Sequence, residues 1–424
     1  MRLRHNKCLP TLMNPTVVLI GTLDTKGVEF DFLRTCLRAL GCDVILMDAG
    51  IIGIPLAQPD ISREEVAAAA NADVRVLAAA GDRGTAVNTM ASGAAAITLH
   101  LHSENRVHGV LGMGGSGNST IASSAMRALP TGVPKLLVST LASGDTRPYI
   151  GESDIAMLYS VVDIAGINRV SERILSNAAA AMAGMATQEL ARSRAQAIVS
   201  NKKLIAATMF GVTTPCVSTA RAWLEADGSE VLVFHATGTG GRAMEALVRG
   251  GFVDGVLDIT TTELADELVG GALSAGPNRM EIAGALGLPQ VVSLGALDMV
   301  NFGPIASVPE KFKDRRLHVH NASVTLMRTT PAESAELGAI IARKLNAAKG
   351  PVTLFIPLRG TSAISGEGGA FHDAVADLAL FDSLRTHLHA QVRVVEMDTE
   401  INDPVFARAM ARCMAGLIKA TNET

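Results

Sequence analysis

A glycine-rich loop that also clusters hydroxyl groups is the segment of this sequence best suited to bind an anion. Residues 112–120 read GMGGSGNST, directly after an apolar run and directly before a segment of helical composition. Small residues at such a turn let backbone N–H groups and the amino terminus of a helix approach a phosphate. The predicted phosphate contacts in this loop are Gly112, Gly114, Gly115, Ser116, Gly117, Asn118, Ser119 and Thr120.

The loop fits two known phosphate-binding patterns, neither of them completely. The glycines have GxGxxG spacing, but the following apolar run ends in Ser139 and Thr140 where NAD binding expects an acid for a ribose hydroxyl. NAD is therefore disfavoured. The loop also fits GxxxxGK[ST], except that Asn118 stands where the lysine should be. A glycine turn that only packs a helix closely on a strand is the alternative.

A second polar loop follows the first apolar run of the chain. Residues 21–27 read GTLDTKG, so two hydroxyls, one acid and one base share a short turn. Lys26 could supply the charge that the glycine loop lacks. Asp24 could hold magnesium through water, because magnesium takes one or two carboxylates together with phosphate oxygens. Helix capping by Asp24 or Thr25 is the alternative. The predicted contacts here are Gly21, Thr22, Asp24, Thr25 and Lys26, with Asp24 as the metal ligand.

The second half of the sequence offers a further anion-binding loop. Residues 235–244 read HATGTGGRAM, after an apolar run and before a helical segment, while residues 258–266 read DITTTELAD. The first segment offers backbone amides and an arginine to the anion of a small substrate, and the second offers polar side chains. A duplicated structural turn is the alternative. The predicted substrate contacts are Thr237, Gly238, Gly240, Gly241, Arg242, Thr260, Thr261 and Glu263.

Three residues of this half attract attention for proton transfer or metal binding. His235 and Asp258 each end an apolar run, where a side chain can act as general acid or base, and both are predicted as catalytic candidates. His318 stands two residues before a second histidine, which would place both on one strand face. A structural histidine pair is favoured over zinc there, because no third ligand lies at a recognisable spacing.

These loops require parallel strands to position them, and the sequence repeats the required pattern. Strand, turn, helix and strand signals over residues 16–50 restart at residue 204, and VHGVLGMGGSGNST and VDGVLDITTTELAD occupy equivalent places. We predict an α/β protein with two Rossmann-like lobes, mostly parallel sheets and an interlobe cleft. The predicted lobes are residues 16–201 and 202–424, after a loose leader at residues 1–15. The last helix is placed in the second lobe, with packing against the first lobe left open.

Composition excludes several classes of function. Charged residues make up 18%, aromatic residues 3%, and the net charge is −4, so neither a basic field nor stacking platforms for nucleic acid exist. Five cysteines lack any CxxC pair, which fits a reducing compartment. No apolar run is suited to span a membrane. We expect a cytoplasmic protein that binds neither nucleic acid nor membranes.

Seven motifs together resemble the ATP-binding domain family of the tomato tobamovirus (tomato mosaic virus) resistance protein. They are GTLDTKG, GDRG, GMGGSGNSTIA, VSTLASGDTRPYIG, VVDIAGINRVSE, HATGTGGRAME and HNASVTLMRT, spread over nearly the whole chain. The resemblance implies two Rossmann-like lobes, ATP with Mg²⁺ in a cleft, and a homodimer or larger homo-oligomer. It also implies nucleotide contacts from the 21–26 turn, the 114–120 loop and the strand end at Ser139, Thr140, Ser143 and Gly144.

The expected function is binding of ATP·Mg in the cleft between the two lobes, and one hypothesis for its chemistry is phosphoryl transfer to a small organic acid or polyol. Whether the chain is an enzyme stays open at this point. One alternative is a binding module that ATP regulates without catalysis. Another is an ATP-independent lyase or hydrolase that acts with a separate TIM-barrel protein, because the plant protein of the resembling family continues into a TIM-barrel-like domain.

Overall fold

The computed structural model describes residues 14–195 and 202–422. The chain divides into two compact units, Met1–Val199 and Ser200–Thr424. The predicted boundary at residue 201 and the predicted leader up to residue 13 lie outside the described residues. Each unit contains a parallel sheet and helices, so the predicted α/β class is confirmed.

The first unit is built on a parallel sheet. Its strands are β1 (Thr16–Gly21), β2 (Asp43–Asp48), β3 (Gly109–Gly114), β4 (Lys135–Ser139) and β5 (Ala156–Tyr159), in the order β2-β1-β3-β4-β5. Its helices are α1 (Leu23–Ala39), α2 (Arg63–Ala69), α3 (Val74–Ala80), α4 (Arg83–Ser103), α5 (Ser116–Ala128), α6 (Arg147–Ile150) and α7 (Arg169–Arg194).

Both faces of this sheet are covered, which explains why its strands are apolar at nearly every position. Alternate residues of a strand point to opposite faces. Val18 and Ile20 of β1 pack in a core with α4 and α5, whereas Val17 and Leu19 pack in a core with α1 and α7. A continuous apolar run is typical of a parallel strand buried on both sides, and β1 carries the polar 21–27 turn at its end.

The second unit has a larger parallel sheet and a small antiparallel one. The parallel strands are β6 (Leu204–Met209), β7 (Glu230–His235), β8 (Gly255–Thr260), β9 (Gln290–Gly295), β13 (Val352–Pro357) and β14 (Arg393–Met397), in the order β14-β13-β9-β8-β6-β7. The antiparallel strands are β10 (Met299–Phe302), β11 (Leu317–Asn321) and β12 (Val324–Arg328), in the order β10-β12-β11. This small sheet was not predicted from the sequence.

The helices of the second unit lie on both faces of its parallel sheet. They are α8 (Thr214–Ala226), α9 (Thr239–Arg249), α10 (Glu263–Val269), α11 (Ile282–Ala285), α12 (Pro331–Asn346), α13 (Ala374–His387) and α14 (Pro404–Asn422). The final helix, α14, places Phe406, Met410 and Met414 in a core with α8 and the second unit's own sheet. Among the described residues, no helix is both long and apolar enough to cross a membrane.

The two parallel sheets share one topology, as the repeated sequence segments predict. Read from the matching edge, β7-β6-β8-β9-β13 of the second unit follows the order β2-β1-β3-β4-β5 of the first. The register agrees as well, because β1 and β3 pair Val17 with Gly109, while β6 and β8 pair Ile205 with Gly255. Loops after β3 and β8 therefore occupy equivalent positions in the two units.

Candidate active site and second-unit cluster

The first unit contains a cavity of about 600 Å³ at the carboxyl ends of its strands. Residues that follow β1, β2 and β3 line it, together with the beginning of α4. In parallel α/β sheets, ligands bind at this edge. The cavity size lies within the range of small-molecule sites. It brings together the 21–27 turn and the glycine loop, two segments that lie far apart in the sequence.

Three helices begin at the cavity wall. The first turns of α1, α4 and α5 contribute Asp24, Arg83 and Ser116 to its lining, together with neighbouring residues. The Leu23 amide of α1 donates to Asp48 Oδ1 at 3.0 Å and Asp82 caps α4, whereas the described residues give α5 no side-chain cap. The first N–H groups of a helix have no partner within the helix, and its dipole makes this end positive. The amino terminus of α5 is therefore the one best able to receive an anionic ligand at this cavity.

Lys26 lies in the cavity wall, and its contact with phosphate remains a prediction. Its ammonium donates a hydrogen bond to the backbone carbonyl of Ile164. The backbone at Lys26 is non-helical, with φ −129° and ψ 17°. A lysine ammonium carries three donors, so a contact with one carbonyl leaves capacity to bind phosphate oxygens.

Arg83 is a second cation in the wall, and the sequence analysis assigned it no role. Its side chain is exposed, and Nη2 lies 3.5 Å from the point where a Cβ on Gly117 would stand. Across residues 14–195 and 202–422, no carboxylate forms a salt bridge with Arg83. A cation beside the amino terminus of a helix, here that of α5, is electrostatically disfavoured. An anion bound between them would reverse the sign of this interaction.

Three acids also line the cavity, and each accepts a backbone hydrogen bond. Asp24 Oδ2 accepts from the Ile52 amide at 3.0 Å, and Asp163 Oδ1 accepts from the Ile164 amide at 2.8 Å. Asp82 caps α4, and hydrogen bonds from the Thr85 hydroxyl and amide lower the pKa of its carboxyl. Two cations and three carboxylates leave the wall with a formal charge of −1. A polyphosphate bound there needs a counter-cation.

One side of the cavity is apolar. Leu77, Ala86, Val87, Met90 and Ile121 face it from α3, α4 and α5. A site of this kind combines apolar walls with a few convergent polar groups, which suits a ligand with one flat apolar part and one charged part.

The side chains of the glycine loop have structural roles that the sequence analysis did not separate from its backbone. Asn118 Nδ2 donates to the carbonyls of Ile20 and Met113, and Ser119 Oγ lies 2.8 Å from Ser139 Oγ. Asn118 Oδ1 is buried without a hydrogen-bond partner in the described structure. Thr120 Oγ1 donates to the Ser116 carbonyl. These side chains thus hold the loop against the strand ends, while the predicted phosphate contacts from the backbone amides of the loop remain a prediction.

Two glycines predicted as phosphate contacts serve close packing. A Cβ on Gly21 would lie 1.9 Å from the ring of Phe30, and a Cβ on Gly112 would lie 2.4 Å from Cβ of Ala122. Neither glycine lines the cavity. The packing alternative that the sequence left open applies to both. By contrast, Gly114, Gly115 and Gly117 line the cavity as predicted, with Gly114 at φ +157°.

The strand end after β4 lies outside the cavity lining. Ser139 is buried and accepts a hydrogen bond from the Leu141 amide at 3.1 Å, while Thr140 is half-buried. Ser143 and Gly144 are exposed. None of these four residues is among those that line the cavity, so the contacts implied for them by the resemblance remain a prediction.

The glycine loop of the second unit does bind an anion, but that anion is a side chain of the protein. Glu263 Oε1 accepts from the amides of Gly238 at 2.7 Å and Gly241 at 3.1 Å. Its Oε2 accepts from Arg279 Nε at 2.7 Å. Glu263 is completely buried. The prediction that this loop and Glu263 hold a substrate anion is therefore wrong for the arrangement described.

Asp258 is also held in a buried cluster around Arg279. The Arg279 guanidinium donates Nη1 to Asp258 Oδ2 at 2.6 Å and Nη2 to Oδ1 at 2.8 Å, and Thr208 Oγ1 donates to Oδ1 at 2.7 Å. Burial lowers the pKa of the Arg279 guanidinium, but the carboxylates of Asp258, Glu263 and Glu245 outweigh burial, so the pKa is raised overall. Burial raises the pKa of nearby Glu245, which Arg279 lowers in turn. A carboxylate engaged on both oxygens is poorly placed to accept a substrate proton.

The remaining candidates of the second unit are dispersed. Thr260 and Thr261 are fully buried and donate to the carbonyls of Thr208 and Ser293. Thr237 Oγ1 donates to the His235 carbonyl, and Arg242 donates to the Ser274 carbonyl. Gly240 lies at the His235 backbone, where a Cβ would stand 1.9 Å from the carbonyl oxygen. These contacts give all of them structural roles.

Histidine placement does not create a metal site. His235 is exposed at the end of β7 and packs beside Phe210, with ring centroids 5.5 Å apart. His318 packs edge-on against Phe371, and His320 is exposed. In the described part of the chain, no three His, Cys, Asp or Glu side chains are grouped so as to hold a metal ion.

Two cationic residues that organise these sites were missed at the sequence level. Arg83 was present in the GDRG motif but had no assigned chemistry, and Arg279 lies in a loop without a recognised pattern. The signal for Arg83 was its position directly after an N-cap aspartate, at the first turn of a helix. No local signal marks Arg279, because its three acidic neighbours come from β8, α9 and α10.

Two family models match the chain. The N-terminal domain of the uncharacterised protein family UPF0261 matches residues 15–191, and the C-terminal domain of that family matches residues 202–418. Among solved structures, UDP-N-acetylglucosamine 2-epimerase from Rickettsia bellii is similar at 11% identity with a TM-score of 0.22, over 97% of this chain and 99% of that chain. That likeness is too low to bear on function.

Curated relatives are similar over most of the chain. A UPF0261 protein of Clostridium tetani is 52% identical over 408 residues, covering 96% of this chain and 100% of its own length. The ToMV resistance protein Tm-1 of Solanum lycopersicum is 42% identical over 414 residues, covering 94% of this chain and 55% of the tomato protein. This similarity confirms the resemblance that the motifs indicated. The chain therefore belongs to the uncharacterised protein family UPF0261.

Proposed function

We propose that the cavity of the first unit binds a nucleoside triphosphate together with Mg²⁺, and that the nucleotide is ATP. The observation that carries this proposal is the guanidinium of Arg83, which lies near Gly117 in the first turn of α5 and with which no carboxylate of the described residues pairs. A bound anion would interact favourably with both the guanidinium and the positive amino terminus of the helix. Lys26 lies in the wall of the same cavity.

The apolar side of the cavity supports a nucleotide rather than a simple phosphate. Leu77, Val87 and Met90 offer apolar contact to the faces of a base. The motif resemblance implies adenine, which is the basis for choosing ATP. The formal charge of the wall supports a metal-bound polyphosphate, because three carboxylates would repel the nucleotide without a cation. Asp24 is our candidate to hold that Mg²⁺ through water, and its Oδ1 makes no hydrogen bond within the described residues.

The proposal is limited to binding. Phosphoryl transfer with Asp258 as base has no supporting geometry, because Arg279 engages both carboxylate oxygens. The non-catalytic module that ATP regulates is therefore the form of the proposal that the structure supports best. Measuring release of phosphate by the purified chain, with a Lys26→Ala control, tests this point. Turnover that disappears in the variant would contradict the non-catalytic form.

The binding test compares ATP, ADP, AMP and NAD in the presence of Mg²⁺. Arg83→Ala should weaken ATP binding by about 10- to 100-fold, since a charge-assisted hydrogen bond contributes about 1.5–3 kcal/mol. Lys26→Ala should weaken ATP more than AMP. Arg75→Ala is the matched control, because Arg75 lies exposed on the neighbouring α3 and pairs with Asp73. Absence of ATP binding by the unmodified chain, or equal effects of Arg83→Ala and Arg75→Ala, would contradict the proposal.

We further propose that the protein acts in the cytoplasm as a homo-oligomer. A TIM-barrel protein that works with it would be a separate chain. The cysteines of the described residues, Cys36, Cys42, Cys216 and Cys413, are all free thiols, as expected in a reducing compartment. Burial raises the pKa of the Cys216 thiol to about 12, which makes it unreactive. Light scattering of the purified chain with and without ATP tests self-association, and a monomer under both conditions would contradict it.

A further inference from the structure

The loops that follow β3 and β8 can be aligned residue by residue. Gly109 and Gly255 open these strands at the same register against β1 and β6. Eight residues later, the first unit has Gly117 and the second unit has Glu263. Both positions lie in the first turn of a helix, α5 in one unit and α10 in the other. The second unit therefore carries a carboxylate where the first unit has no side chain.

The surroundings of the two positions are similar in charge. Gly117 lies beside the guanidinium of Arg83 at the cavity of the first unit. Glu263 reaches the guanidinium of Arg279 and two backbone amides at the amino terminus of α9. A Cβ on Gly241 would lie 2.1 Å from Glu263 Oε2, so the loop encloses the carboxylate as closely as a glycine permits. The loop is built around an anion, as phosphate-binding loops are.

We propose that Glu263 is an internal ligand, whose carboxylate occupies in the second unit the anion position that a nucleotide phosphate takes in the first. This inference rests on the proposed function for the first unit and extends it to the second. The duplication then produced one open site and one site closed by the chain itself. Arg83 and Arg279 serve as the cations of the two sites, although Arg83 begins α4, which precedes β3, and Arg279 lies in a loop that follows β8 and α10.

The first test transfers the internal ligand to the open site. In Gly117→Glu, the new Cβ would lie 3.5 Å from Arg83 Nη2 and 3.8 Å from a Val87 methyl group, which are ordinary contacts. The full chain should fold, and its affinity for ATP·Mg should fall at least 100-fold. Gly117→Ala adds only the Cβ and serves as the size reference, so it should bind ATP·Mg at least tenfold more tightly than Gly117→Glu. Gly117→Gln has the same size without the charge, and we expect it to unfold at a lower temperature than Gly117→Glu.

These variants also show what would overturn the inference. ATP binding by Gly117→Glu that equals binding by Gly117→Ala would overturn it. So would equal unfolding temperatures of Gly117→Glu and Gly117→Gln, because an anion at that position would then gain nothing from the charge of the site. If the unmodified chain binds no ATP, the proposed function fails. The assignment of Glu263 as an internal ligand is then tested only by the experiments on the second unit.

The second test removes the internal ligand from the closed site. Glu263→Ala should be stabilised by sodium formate relative to sodium chloride at equal ionic strength, with a saturable dependence on formate. The unmodified chain and Glu263→Gln should not distinguish the two salts. A Glu263→Ala protein that responds equally to both would overturn the proposal.

A measurement on the unmodified chain covers the case in which Glu263→Ala does not fold. Hydrogen exchange at the Gly238 and Gly241 amides should be as slow as at amides of β8, because their acceptor is a fully buried carboxylate. Exchange of these two amides at the rate of exposed loop amides would overturn the internal-ligand assignment.

Discussion

Asp266 provides a sharp test of how the second unit balances its buried charges. The side chain is fully buried on α10, and its Oδ1 accepts from the amides of Leu273 at 3.1 Å and Asn301 at 3.0 Å. Its Oδ2 accepts from Asn301 Nδ2 at 2.7 Å. Burial raises the pKa of this carboxyl to about 7, although these hydrogen bonds oppose the shift. No cation forms a salt bridge with it within the described residues.

The direction of the pH effect follows from this shift. An unfolded aspartate has a pKa of about 3.9, so between about pH 4 and pH 7 the folded chain binds the proton that the unfolded chain has released. The free energy of unfolding should therefore decrease as the pH rises through this window. A difference of about 3 pKa units corresponds to about 4 kcal/mol as an order of magnitude.

Asp266→Asn keeps the shape of the side chain and removes the charge. Its Oδ1 still accepts from the two backbone amides, and the buried, unpartnered Oδ1 of Asn301 can accept from the new amide after rotation of the Asn301 side chain. The variant should lose the part of the pH dependence that Asp266 supplies. It should be more stable than the unmodified chain at pH 8, by up to about 4 kcal/mol.

Urea unfolding at pH 5 and pH 8 measures the effect. The single tryptophan, Trp223, lies on α8 of the second unit and reports on that unit. Asp314→Asn is the control, because Asp314 is exposed in the same unit. An Asp266→Asn variant whose stability changes with pH as much as that of the unmodified chain would refute the reasoning.

Three further perturbations have defined outcomes. Arg279→Met should lower the free energy of unfolding by about 3–5 kcal/mol, because it leaves Asp258 and Glu263 buried without their cation. Trp223 fluorescence measures this change as well, and a loss below about 1 kcal/mol would contradict the prediction. Burial lowers the pKa of His108, whose Nδ1 accepts from the Thr16 amide, so the first unit should lose stability as the pH falls below about 6.5. Circular dichroism should show this loss, and His108→Asn should reduce it. Gly112→Ala should destabilise the first unit by about 1–3 kcal/mol, because a Cβ there would lie 2.4 Å from Ala122; an unchanged melting temperature would contradict it.

Much of the fold follows from the sequence because its periodicity and repeats are local signals. The apolar runs at β1 and β3, the glycine after each run and the repeated order of segments predict parallel sheets of the same topology in both halves. The antiparallel sheet β10-β12-β11 lacks such a signal. Its strands lie in the segment between β9 and β13, which has no counterpart in the first half.

The candidate site follows from the sequence only in part. The positions of Lys26 and of the backbone of Gly114–Gly117 at the cavity are predictable, because a turn after a parallel strand faces the edge of the sheet where ligands bind. The occupation of the 238–241 loop by Glu263 is not predictable from spacing. Only the tertiary fold shows whether a glycine loop encloses the anion of a ligand or a carboxylate of the protein itself. The role of Arg83 was not predictable for the same reason, because only the tertiary fold places its guanidinium near Gly117 at the amino terminus of α5.

Isothermal titration of the full chain with ATP in the presence of Mg²⁺ tests the central claim most directly. We predict saturable binding of one nucleotide per chain, at least tenfold weaker in Arg83→Ala and unchanged in Arg75→Ala. Titration without any saturable heat, confirmed by unchanged thermal unfolding at the highest ATP concentration, would contradict the assignment of the first-unit cavity as a nucleotide site.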